Sequence, residues 1–366
     1  MKNKIKRVAL YNPYLDTLGG GEKHILSILD VFAEQGYEIN IFWDKNLSKK
    51  IKERFALQCI NTLKYLPNIF KNSSFPLQTL KNLSVFDYFF YVADGSYFFS
   101  GAKNNFVFCM VPDKRLYNLN FLNRLKLWNY KFISNSPYTT KQLTKWGVNP
   151  ITIPPYIDDK LFTNNQNKKE RVILSVGRFF SHLHSKRQDL MIKSFKILKR
   201  KSKEFADYKL ILAGGLMKED QKYFNQLKSL AKNDSSIIFK PNVELYELYE
   251  LYGLSTYYWH FTGYGIDEEK NPELVEHFGI APLEAMISGC LTFCYSAGGP
   301  KELIIDDKNG FLFSDVNELI DKIIRIDSNK SLKEKVIENG KQFVKKNFSY
   351  QMFRSKVMEL IKVRPK

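Results

Sequence analysis

Residues 276–286 are Glu276-His277-Phe278-Gly279-Ile280-Ala281-Pro282-Leu283-Glu284-Ala285-Met286. The two glutamates stand eight positions apart, and helical steps of about 100° would leave the second roughly 80° out of line with the first. One continuous helix therefore cannot point both acids the same way. Pro282 is better placed as the first residue of a new helix, where its missing N–H costs nothing. Glu276 is then expected on the preceding loop and Glu284 in the first helical turn.

The loop between the two acids is expected to expose backbone N–H groups at the helix start. Such groups bind anions, because they have no intrahelical acceptor and lie at the positive end of the helix dipole. Flanking carboxylates accept hydrogen bonds from hydroxyl groups. The pattern suits an anion surrounded by hydroxyls, of which a nucleotide sugar is an example.

Strand and helix patterns alternate on both sides of this stretch. A strand at Arg7–Tyr11, a glycine-rich turn, an apolar-periodic helix ending near Gly36 and a strand at Ile39–Trp43 predict a βαβ unit. A polar segment, Asn164–Glu170, has the composition of an interdomain linker, and a strand at Val172–Val176 then restarts the alternation. The sequence therefore predicts an α/β protein with two doubly wound, Rossmann-like domains, over residues 1–160 and 161–349. A helix from residue 350 follows the second domain.

Composition narrows the classes of partner. The net charge of +18 indicates anionic partners: phosphate-bearing ligands, an acidic membrane surface or nucleic acid. The four cysteines show no metal or disulfide spacing and are expected to be free thiols. We find neither a signal peptide nor an apolar run long enough to span a membrane. We therefore expect a cytoplasmic protein, with peripheral attachment to the inner face of a membrane left open.

Several motifs carry candidate chemistry. Gly19-Gly20-Gly21 lacks the Lys-Ser/Thr of a P-loop, and His24 breaks a dinucleotide fingerprint, so a close-approach turn remains. Arg178 ends a predicted strand and Lys186 follows, so both are candidates to converge on a diphosphate. Pro300, after Gly298-Gly299, is expected to open a helix.

Other segments leave two interpretations open. The polar loop over residues 263–272 is either a flap beside the site or an ordinary insertion. His260 and His277 are candidates for proton transfer or buried structural residues. Residues 114–131 mix basic and aromatic side chains, as in a helix that rests on anionic lipid, but an amphipathic helix packed on its own domain has the same pattern.

Together these motifs resemble the retaining glycosyltransferases of the GT-B fold, glycosyltransferase family 4. The glycine-rich turn, Val-Gly-Arg, Lys-Arg-Gln-Asp, Glu-x7-Glu and Gly-Gly-Pro-Lys-Glu blocks stand in the family's order. The resemblance implies two Rossmann-like domains facing an interdomain cleft, with the last helix (350–366) packing back on the N-terminal, acceptor-side domain. It also implies transfer of a hexose from a UDP- or GDP-linked donor to a glycan or lipid-linked acceptor, in surface polysaccharide or glycoconjugate synthesis.

The resemblance also implies roles for individual residues. Arg178 and Lys186 would hold the diphosphate, and Glu276 would lie near the transferred sugar. The remaining donor contacts would come from Gly20, Gly21, Asn242, Val243, Phe278, Gly279, Ile280, Ala281 and Glu284. No metal or other cofactor is expected. The family's N-terminal histidine is replaced here by Met110, for which Asp113 or His24 are candidate substitutes.

Two rival functions remain at this point. One is a nicotinamide-dependent Rossmann enzyme, which the broken glycine fingerprint disfavours. The other is a basic nucleic-acid-binding module, which the charge permits although the basic residues are spread along the chain and no nucleic-acid motif occurs. We expect no nucleic-acid partner.

Overall fold

The computed structural model describes residues 5–362 except 56, 58, 72–75 and 164–167, so part of the predicted linker lies outside the described residues. The chain forms two compact units. The first unit comprises Met1–Pro155 with Gln351–Lys366, and the second comprises Tyr156–Tyr350. The expected boundary after residue 160 thus falls inside the second unit.

Two parallel sheets form the centres of these units. The first sheet contains β1 (Arg7–Tyr11), β2 (Glu38–Phe42), β3 (Lys64–Leu66), β4 (Tyr88–Val92), β5 (Asn104–Cys109), β6 (Tyr130–Ser134) and β7 (Ile151–Thr152). The second contains β8 (Glu170–Val176), β9 (Lys209–Gly214), β10 (Ile237–Pro241), β11 (Ser255–His260), β12 (Leu291–Tyr295) and β13 (Phe311–Phe313). Their orders, β3-β2-β1-β4-β5-β6-β7 and β10-β9-β8-β11-β12-β13, each reverse direction beside the first strand, as doubly wound sheets do.

Helices connect the strands. They are α1 (Gly20–Glu34), α2 (Ser48–Arg54), α3 (Pro76–Leu83), α4 (Phe121–Lys126), α5 (Pro137–Lys145), α6 (Lys160–Thr163), α7 (Gln188–Lys201), α8 (Gln221–Ala231), α9 (Leu245–Leu254), α10 (Ile280–Ile287), α11 (Pro300–Leu303), α12 (Val316–Asp327), α13 (Lys330–Phe348) and α14 (Tyr350–Lys362). The local signals explain several boundaries. Ser136 caps α5 by accepting the Thr139 N–H, and Pro137 is its first residue.

The central strands of the first sheet are buried on both faces, since crossover helices cover parallel sheets on both sides. Val8 pairs with Ile39 on one side and with Tyr88 on the other, and every residue of β4 is buried. Apolar side chains therefore run continuously through these strands. The α/β class predicted from the alternating pattern is confirmed.

The second sheet has a separate apolar core on each face. Phe195, Leu212 and Trp259 belong to one core, and Leu174, Tyr258 and Leu283 belong to the other. Trp259 and Tyr258 are neighbours on β11, so their opposite placement follows from the two-residue period of a strand. Strand β11 is missing from the sequence interpretation, although it lies at the centre of this sheet.

The last helix packs on the first unit. The Tyr88 hydroxyl donates to the Ile361 carbonyl at 2.8 Å, and Arg354 Nε lies 2.9 Å from Glu34 Oε2. Phe353 is buried against the His24 ring. These contacts tie the chain's last helix into the core of the first unit.

Cys109, Cys290 and Cys294 are free and buried, whereas the side chain of Cys59 lies outside the description. Among the described helices, none has both the length and the apolar character that a membrane span requires.

Candidate functional site

The candidate site lies at the carboxyl edge of the second sheet. In a parallel sheet all strands end at the same edge, and loops there collect ligand-binding groups. Strand β8 ends at Val176 before Arg178, β9 ends at Gly214, and β11 ends at His260. Residues from distant parts of the chain therefore meet there.

Gly177 makes room for Lys186 at this edge. A Cβ atom on Gly177 would stand only 2.6 Å from Lys186 Cγ, and the Gly177 N–H is held by the Ala213 carbonyl at 2.9 Å. The stem of Lys186 thus crosses the strand end in contact with the backbone. Glycine is required because any larger residue would push the lysine away.

Lys186, Glu276 and His260 form the centre of the site. Lys186 Nζ donates to Glu276 Oε2 at 2.7 Å, and His260 Nε2 lies 2.9 Å from the same oxygen. The two atoms are within hydrogen-bond distance, although their geometry falls outside that of a regular hydrogen bond. The Lys186 and Glu276 side chains are both largely buried, which leaves little water to screen the pair.

The electrostatics favour a charged carboxylate on Glu276. Burial opposes its ionisation, but Lys186 and then His260 outweigh burial and hold the pKa of Glu276 well below its usual range. Burial lowers the pKa of His260 despite the nearby carboxylate, so the ring is neutral at neutral pH. Lys186 and Glu276 therefore form the ion pair, and His260 adds a neutral, buried ring.

Two more histidines surround this pair. The His184 and His277 rings lie 5.3 Å apart, and His277 Nε2 is 3.1 Å from the Glu273 carbonyl oxygen. Burial lowers the pKa of His277 to about 4 and also lowers that of His184. Sequence reasoning singled out His277 and His260 but missed His184, whose place beside Lys186 depends on how the loop over residues 177–187 folds.

The helix after Glu276 begins earlier than predicted. Gly279 has φ of 110° and caps α10, which starts at Ile280, so Pro282 is its third residue. The placement of Glu284 in the first turn is also wrong, since it is the fifth residue of α10. Proline fits at the third position because the first intrahelical N–H is that of Leu283, which donates to the Gly279 carbonyl at 3.4 Å. The N–H groups of Gly279, Ile280 and Ala281 have no intrahelical acceptor.

The Gly-Gly-Pro block packs directly on this loop. The Gly299 N–H donates to the Glu276 carbonyl at 2.7 Å, and a Cβ on Gly298 would stand 2.2 Å from that oxygen. Gly298 also has φ of 61°, which a side chain would strain. Phe278 is buried against Phe348. The Gly298-Gly299 pair, more than twenty residues further along the chain, thus holds the Glu276 backbone, and Pro300 opens α11 as expected.

Arg178 has a partner that the sequence did not suggest. Its Nε and Nη2 atoms donate to Asp220 Oδ2 at 3.1 and 3.0 Å, and its guanidinium lies over the Phe180 ring. The Asp220 side chain is 4% exposed, so it fixes the orientation of the arginine. Arg178 and Lys186 both act electrostatically on His184, but each is bound to a different carboxylate.

The remaining candidate residues of the second unit occupy the same edge. The Asn242 side chain accepts from the Leu216 N–H at 2.8 Å, and its own N–H donates to the Gly214 carbonyl, next to half-buried Val243. Glu284 accepts a 2.9 Å hydrogen bond from the buried Tyr252 hydroxyl. These contacts orient groups at the ends of β9, β10 and α9.

The loop over residues 263–272 is fixed to its surroundings. Glu268 accepts a hydrogen bond from the Gly298 N–H and pairs with Lys301, while Tyr264 packs on Tyr295. Arg187 also donates to the Tyr264 carbonyl at 3.2 Å. The start and the middle of the loop are therefore tied to the motifs of the site.

The glycine turn of the first unit packs against residues of that same unit. Gly20 is exposed at the start of α1, and a Cβ on Gly21 would stand 2.2 Å from the Met110 sulfur. His24 is 3% exposed, and burial lowers its pKa to about 3. Asp113 caps a short turn and binds Arg115. Met110 therefore packs on the glycine turn, and His24 is a buried, neutral residue.

Residues 157–343, about half of the chain and the whole of the site described in the second unit, match the family model for glycosyl transferases group 1. The chain belongs to this family. The glycosyl transferases group 1 assignment confirms the family resemblance stated from the sequence motifs.

Two curated relatives of this group 1 protein are named as mannosyltransferases. It is 26% identical over 293 residues to alpha-1,3/1,6-mannosyltransferase ALG2 of Dictyostelium discoideum, covering 68% of this chain and 61% of that protein. It is 30% identical over 190 residues to the GDP-Man:Man(3)GlcNAc(2)-PP-Dol alpha-1,2-mannosyltransferase of Mus musculus, covering 48% and 36%. The chain thus spans about one third to three fifths of these relatives' length.

Solved structures confirm the GT-B fold of this group 1 protein. A glycosyltransferase from Rickettsia africae superposes with a TM-score of 0.74 at 17% identity, covering 98% of both chains. HepE from Anabaena, in complex with UDP and glucose, superposes with a TM-score of 0.71 at 15% identity, covering 97% of this chain and 99% of that one. At such identities the likeness establishes the fold alone.

Proposed function

We propose that this protein is a retaining hexosyltransferase that moves a sugar from a UDP- or GDP-linked donor to a glycan or lipid-linked acceptor. The observation that carries the proposal is the 2.7 Å contact between largely buried Lys186 and Glu276. Glu276 lies on the loop before α10, whose first N–H groups have no intrahelical acceptor. A cation, a carboxylate and helix-start amides are the groups that a sugar diphosphate needs. Family membership supports the same reaction class.

In this proposal Lys186 and Arg178 bind the donor diphosphate. Asp220 holds the arginine fork in place, and Glu276 holds the ammonium of Lys186. The contacts of Lys186 and of His260 both converge on Oε2, which leaves Oε1 of Glu276 for a sugar hydroxyl. The N–H groups from Phe278 to Ala281 face the same ligand, and Glu284 accepts from the ribose.

Asn242 and Val243 are proposed to contact the base, since they follow β10 at the carboxyl edge of the sheet. Gly20 and Gly21 are proposed to approach the diphosphate at the start of α1. The exposed position of Gly20 supports this role. The contact with Met110 explains why residue 21 is glycine without reference to any ligand, because a side chain there would collide with the Met110 sulfur.

Bond cleavage leaves positive character on the anomeric carbon and moves negative charge to the departing diphosphate. Preorganised cations and amides stabilise that charge more in the transition state than in the ground state, and this difference accelerates the reaction. Lys186 and Arg178 supply two positive charges, so we propose that transfer needs no metal ion. The retention of configuration is proposed from the family resemblance.

GDP-mannose is the first donor to test, because the curated relatives described above are named as mannosyltransferases. Thermal shift with GDP-mannose, GDP, UDP-glucose, UDP, NAD and oligonucleotides separates the sugar-donor proposal from both rival functions. We expect stabilisation by one nucleoside diphosphate and its sugar. Stabilisation by NAD or an oligonucleotide alone would contradict the proposal, and NMR of the product anomer tests retention.

A further inference from the structure

An apolar surface lies open on the first unit, around α4. Phe121, Leu122, Leu125 and Trp128 are 80%, 54%, 45% and 77% exposed. Side chains of this kind are normally buried, and a contiguous exposed group of them marks a surface that contacts a partner. The alternative in which this amphipathic segment packs these side chains on its own domain is therefore wrong.

The segment nevertheless has a defined shape. Leu127 and Tyr130, which flank Trp128, are buried in the core of the first unit. The Asn120 side chain caps α4, and Arg124 Nε donates to the Leu119 carbonyl at 2.9 Å. The buried Leu127 and Tyr130 and the hydrogen bonds of Asn120 and Arg124 hold the segment in place, with its apolar side chains exposed. Their exposure is thus a property of a folded surface.

The charge of the segment around α4 indicates what kind of partner the apolar surface contacts. Residues 114–131 contain five basic residues and no acidic residue: Lys114, Arg115, Arg124, Lys126 and Lys131. Lys114 and Arg124 line a hollow beside α4, together with Lys145. Exposed aromatic side chains bordered by basic ones suit the surface of an anionic bilayer. Aromatic rings enter its interfacial region, and basic side chains contact the lipid phosphate groups.

We propose that the α4 surface, defined as residues 114–131, docks this protein on an anionic lipid surface. Phe121 and Trp128 enter the headgroup region, and Lys114 and Lys126 contact lipid phosphates. The inference goes beyond the proposed transferase activity and does not depend on it. A protein docked this way would meet a lipid-linked molecule at the surface where that molecule lies.

The test is flotation of the full chain with vesicles of phosphatidylcholine alone or of an equimolar mixture of phosphatidylcholine and phosphatidylglycerol. We expect binding to the anionic vesicles, reduced at least tenfold by Phe121→Ser with Trp128→Ser and roughly fivefold for each lysine changed in Lys114→Gln and Lys126→Gln. Leu77→Ser is the matched control, because Leu77 is 83% exposed on α3 of the same unit. All variants should keep the parental melting temperature, since the substituted side chains are exposed.

Fluorescence gives an independent readout. Of the four tryptophans, Trp128 is the exposed one, so anionic vesicles should shift its emission to the blue. Trp128→Phe should remove the shift and keep binding within about twofold. Equal binding to both vesicle types, or binding unchanged by the serine pair, overturns the proposal. So does concentration-dependent dimerisation that the serine pair abolishes, because a second copy of the chain would then be the partner.

Discussion

The Lys186–Glu276 pair allows a quantitative test of how the site is held. At 2.7 Å and an effective dielectric constant of about 20, two unit charges attract by about 6 kcal/mol before solvation is counted. Desolvation of two largely buried side chains offsets much of that energy, and the net value of a charge-assisted hydrogen bond is about 1.5–3 kcal/mol. Lys186→Met leaves a buried carboxylate without its cation and should destabilise the second unit by about 3–5 kcal/mol.

A double-mutant cycle isolates the pair. Lys186→Met, Glu276→Gln and the double variant are compared with the parental chain, and we expect the double variant to lose less than the sum of the singles by about 2 kcal/mol. Hydrogen exchange of β8 and β11 amides measures opening of the second unit alone. This matters because a chain with two compact units does not unfold in one step.

The control is an exposed ion pair in the same unit. Lys330 Nζ and Glu334 Oε1 lie 4.0 Å apart and both side chains are exposed to solvent. Exposed pairs of this kind contribute little to stability, because water and salt screen them. Lys330→Met and Glu334→Gln should therefore show no coupling within error. If the Lys186–Glu276 coupling is as small as that of the control, the reasoning about a buried, orienting ion pair is refuted.

Four further outcomes follow from the same contacts. Arg178→Ala should lower kcat/KM for sugar transfer about ten- to a hundredfold, because a contact of roughly 1.5–3 kcal/mol is lost. An unchanged rate in a coupled nucleotide-release assay would refute the proposed contact between Arg178 and the diphosphate. Gly298→Ala should cost about 1–3 kcal/mol in denaturant unfolding, because its Cβ would stand 2.2 Å from a backbone oxygen that cannot yield; unaltered stability would contradict this. Burial lowers the pKa of His24 to about 3. The contribution of the neutral ring to the free energy of unfolding is therefore complete above the unfolded-state pKa of about 6.5 and is lost as the pH falls toward 3. His24→Leu should flatten this fall by about 3 kcal/mol at pH 4 in pH-dependent unfolding, and an unchanged pH dependence would contradict this. EDTA should leave sugar transfer unchanged, and loss of activity restored by a divalent cation would disprove metal independence.

Element prediction succeeded where the chain carries its own boundary signals. Ser136-Pro137 predicts the start of α5, and Pro300 predicts that of α11, because capping and a fixed φ act within a few residues. Strand β11 lacks such a signal. Ser255 both ends α9 and begins β11, so neither glycine nor proline separates the two elements. Without β11, the position of His260 at the carboxyl edge could not be derived.

The site shows the same division. The residue types of the Glu276–Glu284 stretch, the glycine turns and the basic pair indicate an anion site from chemistry and spacing alone. The pairing of those residues cannot be predicted from the sequence pattern, since Lys186 and Glu276 are 90 residues apart and Arg178 and Asp220 are 42 apart. Which cation meets which carboxylate depends on the sheet order and on the close backbone contacts at Gly177 and Gly298. Such contacts join segments that no local pattern relates, so three-dimensional packing had to settle them.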